Sequence, residues 1–431
     1  MKGEPGHLDP LAGRRVLVAI TGSIAAVKLP QLVSALAQRG AQVRCLLTPS
    51  AERLVSAVAL GSLSRHRCYL EADQWTHLAP RPLHVELAEW AELILVAPLS
   101  STSLGRWVHG LGDTLLASML LAAEVPVVAA ATMNTAMWTS PGVLANWTAL
   151  QSFPRVLPLA PTRGLLACDR QGDGRMAEPL QLLLALESLA LRGWERDWQG
   201  RCLVVSAGPT REPLDPARCL TNPSTGLMGV MLAQAARLRG ASVQLVHGPL
   251  ALDPTLLEGL ERFPITTAAE LQRCLLQLQP KADAIAMAAA VADHRRTTPL
   301  ANKLPKSELH AALAGGWEPV PDLLAELVAR RPAGQPILGF AAVCGDGLSQ
   351  ARAKLERKGC DLLFANPIDL PDAGFGASTN RGWLLGPGEA VEELALSGKF
   401  ALAHRLVDAL GALLRPPEGG VVEGDPAEAD P

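Results

Sequence analysis

The chain has 431 residues, enough for two domains of ordinary size, and 48% of them are apolar, enough for a core in each. Only 19% are charged and the net charge is -3, so there is no basic surplus for a nucleic-acid backbone and no dominating acidic tail. Apolar runs such as Leu115–Ala131 are broken by Glu124 and Pro126 and fall short of a membrane span, and an N-terminus carrying Glu4, His7 and Asp9 does not read as a secretory signal.

Taken in order, Arg15–Ile20 predicts a strand, Thr21-Gly22-Ser23 a tight turn, and the stretch ending at Arg39-Gly40 a helix. Gln42–Leu47, with Thr48 at its end, predicts the next strand; Leu93–Ala97 and Val125–Ala131 predict two more. Strands alternating with amphipathic helices imply a parallel sheet covered on both faces. The segment 193–200 is charged, lacks a clear period and reads as a linker. The pattern then restarts: Arg201–Ser206 as a strand, Ala207-Gly208-Pro209 as a turn, a helix from about Thr225 to Arg239, and Val243–Val246 as a strand. The expected division is a first domain over 1–192, a linker over 193–200, a second domain over 201–415, and a Gly-, Pro- and acid-rich disordered tail over 416–431. The fold class expected is α/β with two doubly wound domains, the first flavodoxin-like and the second Rossmann-like. Eight cysteines with no C-x-x-C fit neither a zinc site nor a disulfide scaffold, so reduced thiols in the cytoplasm are expected.

In the first half, Gly22 and Ser23 put small residues and free amides at a helix start, which suits a phosphate, although the G-x-G-x-x-G spacing is not met. Ser100, Ser101, Thr102 and Ser103 follow a strand end, where ligands of doubly wound sheets sit. Met133 and Asn134 follow another strand; His84 lies in Leu83-His84-Val85-Glu86-Leu87; Ala167-Cys168-Asp169 precedes Gly172-Asp173-Gly174-Arg175-Met176. In this order the clusters resemble the phosphopantothenoylcysteine decarboxylases, members of the flavin-binding cysteine decarboxylases, over about residues 14–185. The resemblance implies a trimer with FMN between subunits. It places Gly22, Ser23, Thr48, Ser100, Ser101, Thr102, Ser103 and Met133 at the flavin. His84 would act as base or position the substrate carboxylate, Asn134 would bind that carboxylate, and Cys168 would protonate the enethiolate. FMN supplies the electron sink without which the carboxylate of a cysteinyl group does not leave. Ala131 stands where that family usually carries Pro, and Thr102 where it often carries Asn.

In the second half, Ser206–Pro216 is not a Walker A loop. It resembles the loop opening the phosphopantothenate–cysteine ligases. The resemblance continues through Leu220–Gly229, Ala289–His294, Lys303, Pro321-Asp322-Leu323, Gly339–Ala342, Lys354 and Lys358. It implies CTP-driven activation of phosphopantothenate followed by amide formation with cysteine, giving phosphopantothenoylcysteine. Lys303 would sit at the α-phosphate. Ala290, Asp293, Pro321, Asp322, Leu323 and Phe340 would hold the nucleotide, Lys354 and Lys358 would meet its outer phosphates, and Asn222 would hold the acyl intermediate. Mg2+ is expected to share the charge, with no ligands assigned. Leu227, His294 and Val343 replace the Lys, Tyr and Glu usual in that family. Trimeric first-half units joined by dimeric second-half units would build a dodecamer. A non-catalytic flavin-binding regulatory protein and a nicotinamide-dependent dehydrogenase are the alternatives; the second lacks the fingerprint glycines.

Overall fold

The computed structural model describes residues 9–76, 81–167 and 169–414. Cys168 and the tail 416–431 therefore lie outside the described residues. Both halves are built on a doubly wound sheet, as expected. The first is six-stranded, in the spatial order Cys68–Leu70, Gln42–Leu47, Arg15–Ile20, Leu93–Leu99, Val127–Ala131, Val156–Leu159, and all of its neighbours run parallel. Its central strands read as unbroken apolar runs because helices cover both faces; Val16 to Ile20 are fully buried.

The second sheet is eight-stranded: Glu261–Pro264, Ser242–His247, Cys202–Ala207, Ala284–Met287, Ile337–Val343, Leu362–Pro367, Thr379–Leu385, Val391–Gly398. The first six run parallel and the last two are added antiparallel. In both sheets the chain begins in an inner strand, winds outward to one edge, then returns and winds to the other. Each therefore has a switch point beside its first strand, at the carboxyl end of which ligands are accommodated.

Several predicted elements keep their place with small shifts of boundary. The strand expected to end at Ala97 runs on to Leu99, the one expected from Val125 begins at Val127, the one expected from Arg201 begins at Cys202, and the helix expected from Thr225 starts at Leu227. Within the segment 193–200, Trp198 is 1% exposed and its N–H donates to the Arg239 carbonyl at 3.1 Å. The Arg239 guanidinium, itself buried, pairs with Asp197 and with Asp408.

The helix Pro179–Arg192 packs against the helices Leu227–Leu238 and Lys399–Gly411 of the second half. Leu182, Leu186 and Leu189 share one hydrophobic core with Val230, Leu406 and Leu410. Gln181 crosses the same joint, donating to Thr255 O at 2.7 Å and accepting from Arg237 Nη2 at 2.9 Å. A buried amide and guanidinium satisfied in this way fix one register of the halves, because any slip leaves them unpaired.

Candidate functional sites

In the first half the candidate residues follow the carboxyl ends of adjacent parallel strands: Gly22 and Ser23 after Arg15–Ile20, Thr48 after Gln42–Leu47, Ser100 to Ser103 after Leu93–Leu99, and Met133 and Asn134 after Val127–Ala131. The switch point lies between the first and third of these. There the buried Thr21 hydroxyl donates to Pro98 O at 2.6 Å and accepts from Ser100 N at 2.9 Å, stapling the turn after one strand to the serine-rich segment after the other. Ser100 in turn caps the helix Ser101–Val108, its Oγ accepting from Ser103 N at 3.4 Å, and Ser23 caps the short helix Ile24–Lys28. Glycine is required at 22 by close approach: a Cβ there would stand 2.4 Å from the Cβ of Ser50.

The third and fifth sequence clusters meet. The hairpin Thr162–Leu165 with Gln171–Arg175 folds back so that Gly174 O accepts from Met133 N at 3.2 Å and from Thr132 Oγ1 at 2.8 Å. A Cβ on Gly174 would lie 2.2 Å from Met133 O, so only glycine lets the hairpin seat this deeply. Cys168 lies outside the described residues; Leu166 N donates to Arg170 O at 2.8 Å. Asn134 is exposed and caps the turn Thr135–Trp138 through Oδ1, accepting from Met137 N at 2.8 Å. His84 is half-buried in the first turn of the helix Leu83–Trp90, which leads into the strand Leu93–Leu99. Among the described residues no hydrogen bond joins His84 to Asn134.

The second half holds a cleft of about 560 Å3. Asn222, Ala290, Asp293, Pro321, Asp322, Leu323, Phe340, Lys354 and Lys358 all line it, which brings together every second-half candidate except Lys303. Backbone pins shape it: Ala290 N donates to Gly208 O at 2.9 Å, Ala292 N to Thr210 Oγ1 at 3.0 Å, and Asn222 Nδ2 to Val291 O at 3.1 Å. The distinctive 206–216 stretch thus holds the 289–293 segment against the Asn222 loop. Asp322 caps the helix Leu323–Arg330 and forms an ion pair with Lys358. Burial opposes ionisation of the Asp322 carboxyl, but the Lys358 ammonium and the Ala325 N–H together hold it below the usual carboxylate range. Lys354 donates to Phe340 O at 3.0 Å; burial, then the neighbouring Lys358 and Arg357 charges, push its ammonium down. Lys303 stands exposed on the 297–305 segment, outside the cleft lining, and that segment is tied down by Leu304 N to Asp215 Oδ2 at 3.2 Å.

Two family models match the chain: "Flavoprotein" over residues 6–190 and "DNA/pantothenate metabolism flavoprotein C-terminal domain" over residues 198–413. The chain is 36% identical over 405 residues to the coenzyme A biosynthesis bifunctional protein of Bacillus subtilis strain 168, covering 94% of this chain and 98% of that one. The chain belongs to the bifunctional coenzyme A biosynthesis family. The corresponding protein of Mycolicibacterium smegmatis is 35% identical over 428 residues, with 95% of this chain and 100% of that one covered. A solved C-terminal domain of such a bifunctional protein is 27% identical, covers 51% of this chain and 98% of that chain, and superposes with a TM-score of 0.43. A match running through both halves disfavours the reading of a stand-alone regulatory flavin binder.

Within this bifunctional family fold, three features escaped the sequence reading. Thr21 was quoted only as part of a turn, and its role as a staple depends on Pro98 and Ser100, far away in the chain. Glu178, which begins the joint helix, is paired with Lys28 at 2.7 Å and with Arg175 of the hairpin. Burial opposes its ionisation, yet those two cations hold its carboxyl below the usual range. Lys399 and Asn380, each 3% exposed, also line the cleft. A lysine opening an amphipathic helix looks solvent-facing in sequence, and only the fold-back of the 372–380 loop buries it. Among the described residues no group of three or more His, Cys, Asp or Glu is placed to hold a metal ion, and no helix is long and apolar enough to cross a membrane.

Proposed function

We propose that the second half condenses phosphopantothenate with cysteine at the expense of CTP, and that the first half decarboxylates the phosphopantothenoylcysteine so formed, with FMN bound, to phosphopantetheine. The observation that carries this reading is the single cleft into which the second half gathers Asn222, Asp293, Phe340, Lys354 and Lys358, in a chain of the bifunctional coenzyme A family. An acid does not condense with an amine until its oxygen becomes a leaving group, so the cleft must orient a nucleotide and neutralise developing phosphate charge. Lys354 and Lys358 lie one helical turn apart on Gly347–Lys358 and supply that charge. Asn222, held by Ala290 O and Val291 O, steadies the acyl group. Lys303 is the proposed partner of the α-phosphate, and since it stands outside the cleft lining of its own chain, the proposed dimeric ligase unit is where it meets one. With no carboxylate cage among the described residues, Mg2+ enters this reading only as the counter-ion carried by the nucleotide.

In the first half, Gly22, Ser23, Thr48 and Ser100 to Ser103 offer small residues, hydroxyls and the amides of the helix Ser101–Val108 at a switch-point crevice, a fit for a flavin phosphate and the polar ring edge. Those residues, with Met133 at the ring, would hold FMN, which would supply the electron sink for oxidation of the cysteinyl thiol and the source of the same two electrons when the enethiolate is reduced to the thiol product. Asn134 holds the substrate carboxylate, His84 positions that carboxylate or acts as base, and Cys168 supplies the proton that allows the enethiolate to be reduced. Trimeric first-half units, dimeric second-half units and a cytoplasmic setting complete the proposal.

The purified chain should be yellow and should release pyrophosphate only when CTP, phosphopantothenate and cysteine are all present. A colourless protein that releases none overturns the reading. Cys168→Ser should leave ligation intact while stalling decarboxylation; unchanged overall turnover removes Cys168 from its assigned role.

A further inference from the structure

A second cavity, of about 450 Å3, opens at the joint between the halves. Its lining combines Arg192 at the end of the joint helix, Arg201 of the segment that follows, and Arg405 and Asp408 of the helix Lys399–Gly411. Arg239, 2% exposed, lines it too, as does its partner Asp197. Four guanidiniums therefore share one cavity, and the lining carries two carboxylates. Asp408 lies 2.8 Å from Arg239 and 3.3 Å from Arg192, and Asp197 pairs with Arg239 and stands 3.9 Å from Arg192. Arg405 is held from outside the lining by Glu392, through Nε at 2.8 Å and Nη2 at 2.6 Å. With that third acid counted, positive charge still exceeds negative, and like charges this close repel unless further anions come between them. A guanidinium carries five N–H donors, of which Glu392 takes two from Arg405.

The chain itself carries a matching anion. Leu414 lines the cavity, and the sequence beyond it holds one base, Arg415, and then five acids, Glu418, Glu423, Asp425, Glu428 and Asp430. Glu418 stands four residues past Leu414, so an extended backbone takes it at most about 14 Å from the rim. A Gly- and Pro-rich acidic segment buries no core of its own, yet such a segment orders on a surface that pairs its charges. Tethering helps: a segment joined directly to the rim meets the cavity at an effective concentration on the order of millimolar, so contacts too weak to hold a free peptide suffice.

We propose that the acidic segment 416–431 docks on the arginine cavity at the joint, its carboxylates pairing with Arg405 and Arg192. It thereby straps the end of the flavoprotein half to the last helix of the ligase half. A diffusible anion is the rival occupant. The tethered segment is favoured because the last helix ends on the rim and because every charge beyond Arg415 is negative.

The test is arginine labelling of the full chain with phenylglyoxal, mapped by mass spectrometry, with the exposed Arg53 of the first half as internal control. The variant carries Glu418→Gln, Glu423→Gln, Asp425→Asn, Glu428→Gln and Asp430→Asn together. At low ionic strength it should label at Arg405 and Arg192 about 5-fold faster than the wild type, and about 0.5 M sodium chloride should speed the wild type to the same rate. Arg53 should label alike throughout. Equal labelling of Arg405 and Arg192 in wild type and variant overturns the docking. Inorganic pyrophosphate should protect the two arginines in the variant and add little protection in the wild type; equal protection of both chains assigns the cavity to a diffusible anion and overturns the tail. Thermal melts give a second readout. Arg405→Gln and the five-fold tail variant should each lower Tm, and their combination should lose less than the sum of the two; strictly additive losses show that the arginine and the tail do not meet.

Discussion

Single side chains set the terms at both sites. The Thr21 hydroxyl satisfies Ser100 N and Pro98 O inside the first domain, so Thr21→Val keeps the shape and orphans two buried backbone groups. We expect a loss of about 1–3 kcal/mol in denaturant unfolding, together with weaker flavin retention; a loss of flavin with unchanged stability would show that the staple acts on the ligand alone. His404 is the clearest titration probe. Burial, then the Arg239 and Arg192 charges, lower its pKa to about 3, and both ring nitrogens lack hydrogen-bond partners. The native ring therefore stays neutral while the unfolded ring takes up a proton below its ordinary value near 6.5. Stability is present above about 6.5 and falls as pH drops from there towards 3, by up to about 1.4 kcal/mol per pH unit. His404→Leu should flatten that acid limb in thermal melts at several pH values while costing less than about 1 kcal/mol at pH 7.

At the scale of elements, the hairpin Thr162–Arg175 makes a sharp prediction. Gly174→Ala drives a methyl into Met133 O, lifting the hairpin from the strand end. The expected result is a stability loss of about 2–4 kcal/mol and at least a 10-fold weaker flavin complex, read by equilibrium dialysis. The same scale shows what was legible from residues alone. Arg15–Ile20 and Gln42–Leu47 declare themselves because both faces of a parallel strand are buried and, apart from Arg15, Gln42 and Arg44, their positions are apolar. Leu93–Leu99 was cut short at Ala97 because Pro98 reads as a stop, whereas its strand loses only one donor there and continues. The hairpins Arg211–Asp215 with Arg218–Thr221 and Thr162–Leu165 with Gln171–Arg175 left no strand signal; their residues are mostly polar or glycine, and the few apolar ones, such as Leu214, Leu220 and Leu165, form no run. In the ligase half, motif residues did converge on one cleft, since they follow strand ends that the fold must align. Lys399 stayed hidden because burial of a helix start depends on a loop that follows a distant strand.

Across the whole molecule the joint helix Pro179–Arg192 carries more than its own domain. Leu186 is fully buried in the core that reaches from Val16 to Leu410, so Leu186→Ala should cost about 2–5 kcal/mol. Calorimetry should show that loss in one shared transition; two independent transitions, only one of them shifted, would mean that the halves melt separately. Gln181→Leu tests the polar part of the joint. It strips Arg237 of a buried partner and should cost about 1–3 kcal/mol, without altering the KM for either ligase substrate.

The helix belongs by sequence to the flavoprotein half and by burial to both. A chain cut just after Gly193 would expose a greasy face on each fragment. Neither piece would be at ease in water alone, and each would carry the complementary surface of the other. Co-produced fragments should therefore find one another and restore both pockets, while either piece made alone should clump.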